Sequence, residues 1–435
     1  MLTDILSGPH GLAGHIRRSQ ESYLAWHDFA EMPTPAGVTT REAWQALRTF
    51  HRASGVEISF AGDTDRAHWY YLTYEIGDAI AIIYGHSIAG SGLYQRIADT
   101  RNADVMVRYQ VDEVLAAAEL DGILIPTRTA NAVPHLQRPP RGAADRLVYN
   151  TLAIVRDLPD YLDAPFSERL FRHLHERLIE NVDVDALVTS TPREGLIRPA
   201  DQEQQAASLS ARDARRVMES VAGCLNHSGC DPHINPIVAA LLAPEAFRDL
   251  RPLPSMNDQI GRIVLRLAAL KSGIPALGML PLSRAKVRWL NGEQGDGSLS
   301  MPPAYYRSAH PDDSDDLTGL VTGTLRLTIS ALADLSGALE RQADRDAELR
   351  SLVQADPELN YRQRSILGRG LRDPEAEFRI SYHRDTHNVV YATARADLLG
   401  LVERGYLKMS QRGREFIFTP RPNLHAYIES GSPNS

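Results

Sequence analysis

From Leu317 to Val353, apolar residues recur at helical spacing with no proline to interrupt them. Directly before that run stand Asp312, Asp313, Asp315 and Asp316. Carboxylates complement the positive end of a helix dipole and can cap its free N–H groups. A helical period sustained over so many residues predicts one long helix and argues for a mainly α chain. Shorter stretches with the same period are Ala43 to Arg52, Leu72 to Tyr84, Ala144 to Arg156, Ser167 to Glu180 and Ala211 to Leu225. Pro139 to Gly142 is a break. Gln354-Ala-Asp-Pro357 is a natural boundary.

The pattern changes after that boundary. Tyr361 to Leu371 reads as a helix, and Glu377 to Ile380 as a short strand. Val390 to Gly405 reads as a helix with Ala394, Leu398, Leu401 and Val402 on one face, and Gly405 suits its C-cap. Tyr406 to Met409 and Glu415 to Phe418 flank Gln411-Arg-Gly-Arg414, the pattern of a hairpin. Helix, strand, helix, helix, hairpin is the order of a winged helix-turn-helix.

Charge divides the chain the same way. The net charge is -8, but Leu359 to Arg421 holds twelve Lys/Arg against seven acids, a local +5 that leaves −13 elsewhere. A basic tail on an acidic body points to an anionic partner; ordinary solvation of a small module is the alternative. Apolar runs are too short to span a bilayer, and no leader pattern precedes them, so no membrane partner is expected. Two cysteines imply no disulfide framework, and a reducing cytoplasm is the expected compartment.

Several segments, in order, resemble Fic-family proteins that carry a winged-helix tail. Tyr23-Leu-Ala-Trp26 and Glu42-Ala-Trp44 resemble their N-terminal region. Glu113-Val-Leu-Ala-Ala-Ala-Glu-Leu-Asp-Gly122 resembles their autoinhibitory helix, with Ala117 and Asp121 at its Ser/Thr and Glu positions. Leu174-His175, Pro302-Pro-Ala-Tyr-Tyr306 and Asp312 to Leu317 resemble segments flanking the active site, and Arg384 to Pro420 resembles the tail. The centre is Arg251-Pro-Leu-Pro-Ser-Met-Asn-Asp-Gln-Ile-Gly-Arg262, which is similar to the family motif His-Pro-Phe-x-Asp/Glu-Gly-Asn-Gly-Arg-x-x-Arg.

The resemblance implies transfer of AMP or a related group from a nucleotide to a protein hydroxyl, and each motif position has a task. The histidine is the general base. The acid holds magnesium. Gly-Asn-Gly lets a helix start offer N–H groups to phosphate, and the arginines neutralise it. Here Arg251 replaces the histidine, and a guanidinium is no base near neutral pH. Ser255 replaces the acid, Met256 and Asp258 the glycines, and Gln259 the first arginine, while Pro252, Asn257 and Arg262 remain. A Cβ at Met256 or Asp258 penalises left-handed backbone. No catalytic residue is intact. Ser255, Asn257, Gln259 and Arg262 are the expected nucleotide-site remnants. Asp121 is the remnant of autoinhibition, placed to reach Arg262. Taken alone, the segment also suits a packed helix start.

Other clusters carry weaker expectations. Cys224, His227, Cys230 and His233 are zinc-ligand types at spacing tighter than usual, and incidental placement at a helix end is the better reading. His173 and His175 fall on different helix faces. Trp69, Tyr70 and Tyr71 suit a core. In the tail, Asn388, Tyr391, Thr393 and Arg395 lie at the start of the second helix of the helix-turn-helix, with Arg412 and Arg414 in the wing, a set suited to duplex DNA. Protein docking or homodimerisation is the alternative for the same module.

The expected architecture is mainly α. An N-terminal helical region with a degenerate inhibitory helix spans 1–125, a Fic-type helical core 126–355, and an α+β winged helix 358–424. The expected role is that of a pseudoenzyme, regulatory or binding, with DNA or a protein as partner and no certain cofactor. The alternative is a divergent protein adenylyltransferase, which alone requires ATP and magnesium.

Overall fold

The computed structural model describes residues 11–58, 68–126, 140, 142–188, 209–228, 234–292, 315–412 and 415–430. It is mainly helical with two small antiparallel sheets. The chain divides into two units, one comprising the residues up to Ala98 and Met106–Leu335, the other Asp99–Val105 and the residues from Ser336 on.

The first unit opens with α1 (Leu12–Glu21), α2 (Trp26–Ala30) and α3 (Thr40–Ala53). Thr39 and Glu42 form a reciprocal capping box that fixes the start of α3. Phe29, Trp44 and Leu47 bury the apolar faces of these helices. Strands β1 (Val56–Ile58) and β2 (His68–Tyr70) pair antiparallel, with Val56 opposite Tyr70. Trp69, Tyr70 and Tyr71 are buried, as their composition predicts. Next come α4 (Tyr74–Ser87), α5 (Gly92–Ala98) and α6 (Ala103–Leu120), the last of which runs through the division between units.

Then follow α7 (Ala143–Asp157), α8 (Glu168–Leu178), α9 (Ala211–Leu225), α10 (Pro236–Leu250), α11 (Asn257–Lys271), α12 (Pro275–Met279) and α13 (Leu282–Leu290). The centre is α10 against α11. In these two helices every residue from Ile237 to Leu250 and from Asn257 to Ala269 is buried. A helix apolar all round belongs inside a larger layer of helices, yet these two also carry charges, and those charges form the site.

The long run is helix α14, Thr318–Ala355, which also crosses the division. Asp316 caps it by accepting from the Thr318 N–H at 2.9 Å. Asp315 instead receives Arg48 at 2.9 Å and Arg52 at 3.0 Å, and its carbonyl accepts from the Trp69 N–H. Asp316 therefore caps α14 while Asp315 anchors its start to α3 and β2; Asp312 and Asp313 lie outside the described residues.

In the second unit, α15 (Tyr361–Arg372), α16 (Ile380–His387) and α17 (Tyr391–Glu403) precede β3 (Leu407–Arg412), β4 (Glu415–Pro420) and α18 (Leu424–Glu429). Phe378 and Phe418 exchange both backbone hydrogen bonds, at 2.8 and 2.9 Å, where the short strand is expected. Ile366, Leu367, Phe378, Leu398, Leu401 and Phe418 form its core. Asp397 on α17 ties the helices together. It accepts from Arg362 Nε at 2.6 Å, from Asn360 Nδ2 at 2.7 Å, and lies 3.1 Å from His383 Nε2.

Candidate functional site

The candidate loop joins α10 to α11. Pro236 at the first position of α10 has no N–H to leave unpaired, and Asn235 accepts from the Ile237 N–H at 2.9 Å. The helix closes on Arg251, in the left-handed region at φ 44°, and α11 opens after Met256, also left-handed at φ 58°. Met256 thus keeps the glycine-like backbone despite its Cβ, at a cost of about 1 kcal/mol. Asp258 lies within α11, so the conformational penalty expected there does not arise. Gly261 is where the two helices touch. A Cβ on it would stand 2.7 Å from Pro244 Cα.

Short hydrogen bonds close the loop on itself. Asn257 Oδ1 accepts from the Leu253 N–H at 3.0 Å, and its Nδ2 donates to the Leu253 carbonyl at 2.9 Å. Leu253 and Met256 are buried. Ser255, half-buried, lies with its Oγ 3.2 Å from Nε2 of His175, which reaches it from α8. Burial lowers the His175 pKa, partly offset by its hydrogen bond to Ser255. His173 points away, 3.2 Å from the Tyr161 hydroxyl.

Two carboxylates from α6 and its end meet this region. Asp121 accepts from the N–H groups of Asp258 and Gln259, both at 3.0 Å. These are free donors of the first turn of α11, where an anion is favoured. The expected pairing of Asp121 with Arg262 does not form. Arg262 Nε lies instead 2.5 Å from Glu113 Oε1, and its Nη2 donates to the carbonyls of Gly278 and Leu280. Glu113 also accepts from Ser283 N at 2.9 Å and Arg284 N at 3.2 Å, the start of α13. The reason is length: eight helical residues separate the two acids by about 12 Å, so they serve different helix starts.

Gln259 turns away from the loop, donating through Nε2 to the Val114 carbonyl at 3.0 Å. Asp258 points inward. Its Oδ1 accepts from Arg248 Nε at 2.6 Å, while Arg248 Nη1 donates to Glu245 at 3.0 Å and Lys286 donates to the same Glu245 oxygen. All four groups are buried. Burial opposes the Arg248 charge, but Asp258 and Glu245 together hold its pKa above the usual value. Burial, then the neighbouring Asp258 carboxylate, raise the Asp121 pKa well above its ordinary value. Glu113, Glu245, Arg248 and Lys286 carry no sign of this role in the sequence. Only their helical register, facing α11, could have suggested it.

No protein-family model matches this chain, and no curated protein matches it. Among solved structures it is similar to that of a Fic family protein from Desulfovibrio desulfuricans G20, at 17% sequence identity and a TM-score of 0.47, over 81% of this chain and 98% of that one.

The remaining expected residues fall in three places. Asn388, exposed and left-handed at φ 49°, ends α16, and exposed Tyr391 begins α17. Thr393 is half-buried and Arg395 exposed. Arg412 donates to Glu377 at 2.9 Å, so its charge is already matched. Arg414 lies outside the described residues, as do Cys230 and His233. Cys224 is buried at the end of α9 and is disulfide-bonded, so it offers no thiolate to a metal. Among the described residues no group of three or more His, Cys, Asp or Glu could hold a metal ion. Nor is any described helix long and apolar enough to cross a membrane.

Proposed function

We propose that this chain is a Fic-type pseudoenzyme, a regulatory or binding protein without AMP-transfer chemistry. The observation that carries this reading is Asp121 on the N–H groups of Asp258 and Gln259. A nucleotide phosphate needs that helix start, and the protein's own carboxylate holds it. Magnesium ATP does not fit the residues present. The acid position is Ser255, engaged with His175, and Arg262 is buried with its Nε at Glu113 and its Nη2 on two carbonyls, turned from the helix start. Arg251 supplies no base.

Calorimetry with magnesium ATP tests the reading, with no binding heat as the expected result. Stoichiometric binding, or label passing from ATP to protein hydroxyls in a lysate, would establish the transferase reading instead.

A second function is proposed for the tail, contact with duplex DNA through the start of α17. Exposed Asn388, Tyr391 and Arg395 on or beside the first turns of one helix support it. Binding to random duplex in low salt is the direct test.

A further inference from the structure

Arg266 lies one helical turn beyond Arg262 on α11. The residue is 4% exposed, and its Nε and Nη1 are buried with no hydrogen-bond partner. Arg262 Nη1 is in the same condition. Together these two guanidiniums leave three buried N–H-bearing nitrogens unsatisfied.

Their charge is also unmatched. Glu113 is the carboxylate that faces the pair, and it is already shared with Arg262 and the start of α13. Lys286 and Arg248 are taken by Glu245 and Asp258. Among the described residues, the two buried guanidiniums face one carboxylate, Glu113, which leaves one positive charge over at this point of α11. Burial, then the nearby Arg262, lower the Arg266 pKa to about 10, so it stays protonated at neutral pH. Deprotonation is therefore no escape, and a buried charge demands a partner.

We propose that Arg262 and Arg266 form a buried site for a small monovalent anion of the halide class, held by the unpartnered nitrogens of the two guanidiniums. One surplus charge matches one monovalent anion. A phosphate would bring more charge than the pair can match. The site needs no nucleotide, so it stands or falls apart from the pseudoenzyme reading.

The experiment measures thermal unfolding of the full chain in sodium chloride and in sodium gluconate at equal ionic strength. An anion that binds only the folded state stabilises by mass action. The midpoint rises by a few degrees with chloride in the wild type, and Arg266→Met abolishes the dependence. Equal midpoints in both salts overturn the proposal, as does a chloride effect that survives in Arg266→Met. Should that variant fail to fold, crystals of the wild type grown in bromide decide. An anomalous peak at hydrogen-bond distance from Arg266 upholds the site, and water there overturns it.

Discussion

Asp121 accepts from two successive backbone N–H groups of α11, those of Asp258 and Gln259, at 3.0 Å each. One end of α6 is thereby fastened to the start of a helix more than a hundred residues later. The contact has the chemistry of an N-cap, although the capping residue comes from elsewhere in the chain.

Removing that carboxylate strands two buried donors. Asp121→Ala is expected to lower the unfolding free energy by about 2 kcal/mol, in the range for lost caps and unsatisfied buried groups. Asp121→Asn keeps one acceptor and is expected to cost less. Urea denaturation of the three proteins checks the order. A neutral Asp121→Ala would remove the fastening role.

Gly261 makes a sharper steric prediction. Its missing Cβ leaves room for the Pro244 backbone of α10, which cannot shift without moving a helix. Gly261→Ala is expected to cost about 1–3 kcal/mol through overpacking. Gly368 on α15 has nothing within 4 Å of its absent Cβ. Gly368→Ala is expected to stabilise by up to about 1 kcal/mol from helix propensity. Opposite signs in one urea series test whether space or propensity decides each position.

Much of the fold was legible because helical period survives in single sequences. Ala211 to Leu225 and the long α14 follow their apolar spacing, and Asn360 with Gln363 forms a capping box at the start of α15. The two strands β1 and β2 are three residues each and carry no readable alternation. In the candidate loop, the lost residues were visible but the replacements' partners were not. Glu113 reads as one of four acids from Asp112 to Asp121, and nothing local says that it will be buried against Arg262. Asp121 meets the N–H groups of Asp258 and Gln259 rather than Arg262, because sequence order does not reveal which helix start a carboxylate meets. Buried ion pairs are a tertiary fact, set by helix packing rather than by spacing.

His51 gives a pH prediction for the N-terminal helices. Its ring stacks on Tyr71 at 3.8 Å, and its Nε2 lies 2.8 Å from Ser19 Oγ. Burial, then Arg48, lower its pKa from 6.5 to about 4. The unfolded chain therefore binds a proton first as pH falls. The stability His51 contributes is complete above pH 6.5 and is lost progressively down to about pH 4, amounting to about 3 kcal/mol. Urea unfolding at pH 7.5 and pH 4.5 measures the loss. His51→Gln does not titrate, so its loss over the same interval should be smaller by that amount; an equal loss would place the acid sensitivity in other groups.

The tail prediction separates free from matched charge. Arg395 is exposed at the start of α17, whereas Arg412 is paired with Glu377, which in turn lies near Arg379. A cation already matched by a carboxylate gains less from a phosphate, because binding must first break its pair. If the tail meets duplex DNA, Arg395→Ala should weaken binding several-fold and reduce the slope of log K against log salt by about one. Tyr391→Ala should weaken binding without changing that slope, since its side chain is uncharged. Arg412→Ala should do little to either. Fluorescence anisotropy with a labelled duplex over a salt series reads all three. Wild-type affinity that is absent even at low salt would overturn the DNA reading of the exposed Asn388 and Tyr391 face.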